Sequence, residues 1–537
     1  MSKSGRIFTS LPFVLLFVLI PVLVTSATMN AMAEPRGEIR VVESWRPDIN
    51  VLGHNVLQYL FEYAIDENKL VPSLAVSREW IDDTTLELKL RKGVHFHNGE
   101  PFDAMAVKFN LDYQRRNNSG RGVQFYMGNV KEIRIIDPWT VRFILHKPNF
   151  LLLDNTILGP TAGWVIGAPE YMERVGWKEF LKRPVGTGPY MVQGEVRNYK
   201  DLAEGETYAT LVANPNYWLK GRPKIGKVSF VRYSPRQGLA ALLDGRIDLL
   251  TSIIPTDTLL VAESNYAKVV KGRNDVKHTT ALFNLLSPST RPLRDMRVRK
   301  ALNYAVNKEE LSRYAFKGNA LEMRGVLTEK AGVDLSETKS YEWNIPKARE
   351  LLEDAGYGRG FKIKILHHEK DFLTAQLLQR FYGLLNVDVE LNSVQWESLV
   401  EHAVYPNTRA GHSWEQEDWW IVLFSDPGYV PEGMGGWLEW IFHSGAPWRA
   451  FPDWIGEPLE EIYQEVLRTQ DRARRFALYK RANEYVADQA LVLSTMAPLN
   501  LYGVNRELEF VPHVSQYLYL DYSSVTDRHW SMRGKNN

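Results

Sequence analysis

The sequence predicts an exported α/β protein built from two or three compact units, and three observations predict it. The chain has 537 residues, too many for one ordinary domain and enough for several units each to bury a core. Strictly alternating apolar runs interleave with runs of helical period along the chain. A basic amino terminus followed by an apolar stretch marks export.

Lys3 and Arg6 precede the apolar residues 11–24, and Ala31-Met32-Ala33 supplies small residues for cleavage. Residues 1–33 are therefore expected to be a signal peptide, with the mature chain starting near Glu34. The apolar stretch is shorter than the ~20 residues that span a bilayer, and Pro12 and Pro21 interrupt it. No later segment reads as transmembrane, so the mature protein is expected in the periplasm of a two-membrane host.

From Glu34 onward the elements follow in order. Residues 38–42 read as a strand, 43–54 as a loop and 55–64 as a helix. Residues 85–91 alternate as a half-buried strand, with Asn98-Gly99 as a tight turn soon after. Residues 102–113 read as a helix, and 130–136 and 140–145 as strands paired across Asp137-Pro138. Gly186-Thr187-Gly188-Pro189 is a strong turn. A helix over 239–243 ends at Asp244-Gly245 and a buried strand follows over 247–250. Helices over 298–306 and 346–355 come next, the latter stopping at Gly356 before an alternating strand over 361–365. The last long helix is expected over 459–488, with Arg472, Arg474, Arg475, Lys480 and Arg481 on a solvated face.

Composition excludes several chemistries. The 65 basic and 64 acidic residues give a formal charge of +1, so there is no general electrostatic pull toward nucleic acid or anionic lipid. Cysteine is absent, which removes disulfides, thiolate catalysis, Cys-ligated zinc, iron–sulfur clusters and lipidation on cysteine. No G-x-S-x-G, H-E-x-x-H, P-loop or dinucleotide fingerprint appears. Neither an enzymatic activity nor a cofactor or resident metal is expected.

The remaining candidates each have a plainer reading. His95 and His97 form an H-x-H pair, but no third ligand accompanies them. His367 and His368 fall on opposite faces of any strand, so at most one could serve a site. Gly356-Tyr357-Gly358-Arg359-Gly360 follows a helix instead of opening one, the wrong end of the dipole for phosphate. Trp414, Trp419, Trp420, Trp437, Trp440, Trp448 and Trp454 crowd one part of the chain. Indole rings suit a water-excluding pocket for a partly apolar or cationic ligand, and about half of these are expected merely to pack under loops.

Several segments, in order over nearly the whole mature chain, together resemble a known family. They are Leu70-Val71-Pro72-Ser73-Leu74-Ala75 with Trp80; Leu90-Arg91-Lys92-Gly93-Val94-His95-Phe96-His97-Asn98-Gly99 running into Phe102-Asp103-Ala104; and Gly186-Thr187-Gly188-Pro189-Tyr190. Asn214-Pro215-Asn216-Tyr217-Trp218, Gly245-Arg246-Ile247-Asp248, the run from Val298 to Val306, and that from Ala348 to Tyr357 complete the set. The chain resembles the extracytoplasmic solute-binding proteins, family 5, of ABC importers, which carry oligopeptides, dipeptides, nickel chelates and related solutes.

The resemblance implies a two-lobed periplasmic binding protein of class II with an extra domain in lobe one. Lobe one would comprise 34–64, an extra α/β subdomain over 65–185, then 186–281 and 495–537; lobe two would be 282–494. The chain would cross near Leu282 to Asn284 and near Ser494 to Pro498, where a hinge closes the lobes over a ligand. Implied partners are a peptide-like or amine-poor solute and an ABC permease with its ATPase in the inner membrane, with the protein a monomer. In peptide-binding members, the strand resembling Trp420 to Pro427 bears an aspartate three residues after the tryptophan, which pairs with the peptide ammonium. Here that position is Leu423, while Asp418, Glu417 or Glu415 could substitute from the preceding loop. A buried ammonium without a carboxylate is costly, so the departure points away from free-amine peptides.

Candidate ligand contacts are Trp45, Asn50 and His54 in the loop after the first strand, although that loop lacks the family's acidic-proline pair. Thr251, Ser252, Trp396, Trp414, Trp419, Trp420 and Leu423 complete the expected set. For His54, support of the following helix is the competing role. Two other functions stand against this reading. One is a carbohydrate-active hydrolase using Glu415, Glu417 and Asp418. The other is a periplasmic chaperone or sensor on the same fold.

Overall fold

The computed structural model describes residues 34–43, 47–65, 69–117, 127–152, 165–272, 278–399, 402, 413–426, 435–446, 448–514 and 517–533. The expected signal peptide, 1–33, lies outside them.

Three sheets organise the described chain. The largest has seven strands, in spatial order Ala267–Lys271, Leu501–Asn505, Leu249–Leu250, Arg36–Val42, Ile225–Val231, Thr207–Ala213 and Tyr190–Val192. Its central strand, Arg36–Val42, runs parallel to both neighbours. A second sheet orders His278–Phe283, Ile421–Asp426, Lys362–His368 and Asp388–Val394. The last three of these are mutually parallel, and the first is antiparallel to its neighbour. The third sheet is an antiparallel meander of Ala75–Asp82, Thr85–Leu90, Thr140–Leu145 and Val130–Asp137.

These elements form for local reasons. In Thr85–Leu90 the alternate residues Leu86, Leu88 and Leu90 bury apolar side chains on one face, while Glu87 on the other is covered by its partners Lys89 and Arg142. Helix Ile345–Asp354 opens on Asn344, whose side chain accepts from the Lys347 amide, and ends at Gly356, where φ is 83°. Helix Met296–Tyr304 is capped by Asp295.

Three expected elements differ. The helix expected over 55–64 lies at Pro47–Val56, and Phe61–Tyr63 is a strand paired with Leu70–Pro72. The helix stops because Gly188 donates its amide to the Val56 carbonyl at 2.9 Å. A Cβ on Gly186 would stand 2.0 Å from that same oxygen, so only glycine allows this approach. The expected strand over 247–250 shortens to Leu249–Leu250. The long carboxyl-terminal helix is two helices, Asp453–Leu467 and Arg472–Asp488. Asp471 caps the second, and Arg475 leaves the solvated face to donate to the carbonyls of Thr469 and Gln470 between them.

The motifs of the family resemblance turn out to be fasteners. Gln58 receives Thr187 Oγ1 at 3.1 Å and Trp218 Nε1 at 2.8 Å, and donates to Tyr217 Oη at 3.0 Å, so two distant motifs meet on one amide. His97 Nε2 lies 3.0 Å from the Gly188 carbonyl and its Nδ1 accepts from the Gly186 amide, clamping the glycine turn. Burial lowers His97 to a pKa of about 4 despite that carbonyl, so the ring is neutral and structural. His95 is exposed beside it.

Buried apolar side chains group accordingly. One core gathers Leu151 with residues between 281 and 497 around the second sheet, a second surrounds the meander between 60 and 168, and the rest lie on the seven-stranded sheet. The segments expected to cross between lobes run side by side. Leu282 and Val492 form an antiparallel bridge, and the Leu493 amide donates to the Ala281 carbonyl at 2.9 Å. Helix Met296–Tyr304 fixes the returning segment. Asn303 donates to the Val492 carbonyl and accepts from the Ser494 amide, while buried Arg299 donates to the carbonyls of Leu293, Gln489 and Ala490.

Candidate ligand-binding cleft

Parallel strands of an α/β sheet gather loops at their carboxyl ends, the usual place for a ligand. In the seven-stranded sheet these ends are Val42 followed by Glu43, and Leu250 followed by Thr251 and Ser252. The Thr251 amide bonds the Val42 carbonyl at 3.1 Å, so the two loops leave side by side. Thr251 and Ser252 are half-buried, and Glu43 is buried and engaged by a neighbour.

In the second sheet the corresponding ends carry aromatic rings in a row. His368 meets Trp396 at 6.2 Å, Trp396 meets Phe424 at 5.9 Å, Phe424 meets Trp448 at 5.6 Å and Trp448 meets Trp440 at 5.6 Å. The register explains the shared face. His367 pairs with Leu423, so His368 and Phe424 project together on the other side. Trp396, Trp440 and Trp448 are partly exposed. The Trp448 Nε1 atom is buried without a hydrogen-bond partner among the described residues. His368 also accepts from the Lys370 amide and so caps the turn after its strand.

Other candidates fall elsewhere. Trp45 lies outside the described residues, and Asn50 sits in helix Pro47–Val56 with its side chain likewise undescribed. His54 is turned into the interior. Its Nδ1 lies 2.9 Å from Glu62 Oε1 and its Nε2 2.9 Å from Asp521 Oδ1, which leaves neither nitrogen for a ligand. Burial pulls its pKa down, but the two carboxylates outweigh burial and raise it to about 10, so the ring carries charge. Arg222 approaches the other Asp521 oxygen at 3.5 Å, and Tyr519 stacks between His54 and His513 at 3.9 and 3.7 Å.

Trp414 and Trp419 are core residues, packed edge to face at 4.9 Å, and Trp420 stacks on Phe361 at 5.4 Å. All three precede strand Ile421–Asp426 and so lie at its amino end. Leu423 is fully buried within that strand, paired with Ala281 and His367. Asp418 cannot stand in for a carboxylate at Leu423. It ion-pairs with Lys364 at 2.5 Å, and five residues of extended chain separate the positions by roughly 16 Å. Sequence density singled out the tryptophans, but Trp440, Trp448 and Phe424 join the row only through the register.

Two open surface hollows, of about 560 and 780 Å³, lie among Glu460–Arg474 and Val76–Thr140 side chains, and neither includes a candidate contact. Among the described residues no group of three or more His, Asp or Glu side chains could hold a metal.

Residues 69–440 match the family described as bacterial extracellular solute-binding proteins, family 5. The chain belongs to that family. It is 27% identical over 431 residues to the glutathione-binding protein GsiB of Shigella flexneri serotype 5b (strain 8401), covering 78% of each chain. Its fold is that of the periplasmic binding protein AgaA from A. tumefaciens R10 in complex with agropinic acid. The TM-score is 0.71 at 21% identity, over 92% of this chain and 99% of that one. It is equally that of the ABC transporter-associated periplasmic binding protein DppA from Helicobacter pylori in complex with peptide STSA. Here the TM-score is 0.70 at 19% identity, over 91% and 98% of the two chains.

The family 5 protein is thus a two-lobed solute-binding component of an ABC importer, which binds a small solute for a permease and ATPase and is not an enzyme. The hydrolase reading falls with that membership. Its residues are also dispersed: Glu415 is exposed, Glu417 faces His402 at 3.3 Å and Asp418 holds Lys364. No described helix is long and apolar enough to cross a membrane.

Proposed function

We propose that this family 5 protein captures a small, partly apolar solute lacking a free α-amine and delivers it to its permease as a periplasmic monomer, after cleavage near Ala33. Lobe one then comprises 34–64, the extra subdomain 65–185, 186–281 and 495–537, and lobe two 282–494. The separation of the buried cores and the pairing of Leu282 with Val492 support that division. In this reading Thr251 and Ser252 face the solute from lobe one, and Trp396, Phe424 and Trp448 face it from lobe two. Trp45 and Asn50, on the adjoining segment, complete the lobe-one side.

The observation that carries the ligand class is Leu423. Where peptide-binding members of the resembled family hold an ammonium with aspartate, this chain has a buried leucine between Ala281 and His367. The row of rings, on the other face of the strand, offers apolar faces, and an ammonium brought there would lose water without gaining a carboxylate from position 423. The glutathione-, agropinic acid- and peptide-binding relatives support a ligand of that size class.

Thermal-shift measurements with matched pairs test this, since a ligand raises the melting temperature in proportion to its occupancy of the folded state. A di- or tripeptide with a blocked amino terminus is expected to stabilise the protein, and its free-amine counterpart to leave it unchanged. Equal or greater stabilisation by the free-amine peptides would overturn the assignment.

A further inference from the structure

Leu151 and Leu152 are consecutive but are buried in different cores. Leu151, 1% exposed, lies among the side chains of the second-lobe core, and Leu152, 0% exposed, lies in the core of the meander. Just before them, the Phe150 amide donates to the Leu467 carbonyl at 2.9 Å. Leu467 ends helix Asp453–Leu467, and a last-turn carbonyl has no acceptor role inside its own helix, so it takes its donor from outside. The Phe150 ring meets Trp80 of the meander edge to face at 4.7 Å. Asn149 braces the turn, its Oδ1 accepting from the Leu151 amide and its carbonyl from the Leu152 amide, both at 3.1 Å. Trp440, the end of the aromatic row, packs against both cores.

We propose that residues 149–152 are a pin, carried by the extra subdomain and seated in lobe two, that holds the lobes closed. The proposal rests on the solute-binding reading and goes beyond it by naming the contact that opposes opening. Two bodies joined by the paired segments at Leu282 and Val492, and again at Leu151, cannot rotate apart until Leu151 leaves the second core. The pin therefore sets the open–closed equilibrium, and weakening it reduces apparent affinity by the same factor as the closed population. Because Trp440 packs against both of the cores that hold Leu151 and Leu152 and also ends the aromatic row, solute and pin are linked through one side chain.

The natural absence of cysteine allows a clean test. Spin labels on Met105→Cys, in the extra subdomain, and Glu461→Cys, on helix Asp453–Leu467, report lobe separation by pulsed dipolar spectroscopy without added ligand. Both positions are exposed. The protein with its pin intact is expected to give a short, narrow distance distribution, and Leu151→Ser a longer, broader one. Trp440→Ala, which removes the ring packed against both cores, is expected to do the same and serves should Leu151→Ser not fold, with circular dichroism establishing the fold of each. An unchanged distribution in the folded variants, or a broad one with the pin intact, overturns the proposal. Failure of the solute-binding reading shows separately, as absence of any bound solute by mass spectrometry.

Discussion

Asp248 Oδ1 accepts the indole N–H of Trp530 at 2.8 Å, fastening the end of the described chain to the residue that precedes strand Leu249–Leu250. The same carboxylate takes Tyr266 Oη at 2.9 Å, Asn505 Nδ2 at 2.8 Å and the Arg40 amide at 2.8 Å, with His529 Nε2 at 3.2 Å. Burial would raise its pKa, but the bonds from His529, Asn505 and Arg40 outweigh burial and hold it low. The aspartate of the Gly-Arg-Ile-Asp motif is therefore a structural node, not a ligand contact.

Asp248→Ala is expected to destabilise the protein by roughly 3–5 kcal/mol, because it strands several buried donors. Asp248→Asn keeps the shape and part of the accepting capacity, and is expected to cost about 1–3 kcal/mol. Urea unfolding of both variants checks the order, and faster proteolysis near residue 530 should accompany the loss.

The buried triad of His54, Glu62 and Asp521 predicts a pH dependence. The folded pKa of His54, about 10, lies above its ordinary 6.5, so its contribution is complete below pH 6.5 and is lost as pH rises toward 10. For Asp521, burial opposes ionisation but His54 and Arg222 outweigh it, so its contribution is present above the ordinary value of 3.8 and is lost as pH falls through its lowered folded value. Melting temperature should therefore decline between pH 6.5 and 10, and again in acid. His54→Gln is expected to remove the alkaline decline and to cost roughly 3–5 kcal/mol near pH 6.

Gly186→Ala tests the glycine turn that ends helix Pro47–Val56. Its Cβ would stand 2.0 Å from the Val56 carbonyl oxygen, a backbone atom held by Gly188. A loss of about 1–3 kcal/mol is expected in chemical unfolding. Gly93→Ala, where nothing lies within 4 Å but φ is 75°, should cost only about 1 kcal/mol.

Arg299→Lys tests how the segment 489–494 is fixed beside strand His278–Phe283. The guanidinium donates to the four backbone carbonyls of Leu293, Arg294, Gln489 and Ala490 from one buried position, and desolvation lowers its pKa to about 10. Lysine keeps the charge but not the fork. A loss of roughly 2–4 kcal/mol is expected, together with faster amide hydrogen exchange at 489–494.

Much of the fold was legible because its causes are local. The alternation in Thr85–Leu90, the Asn344 and Asp295 caps and the stop at Gly356 are written within a few residues of where they act. The break after Leu467 depends on Asp471 capping outward against a strong helical period, which periodicity alone overrides. The site was less legible because its determinants are distant. His54 is a core residue owing to Asp521, 467 positions away. The crowded tryptophans divide by strand polarity: Trp414, Trp419 and Trp420 precede strand Ile421–Asp426, whereas Trp448 reaches its far end through Phe424. Composition records the rings but not the register that sorts them.

The most direct test is native mass spectrometry of the exported protein, followed by identification of whatever denaturation releases. A one-to-one complex with a small solute that carries no free α-amine is predicted. A stoichiometric free-amine peptide, or a bare chain even after incubation with whole-medium extract, would contradict the account.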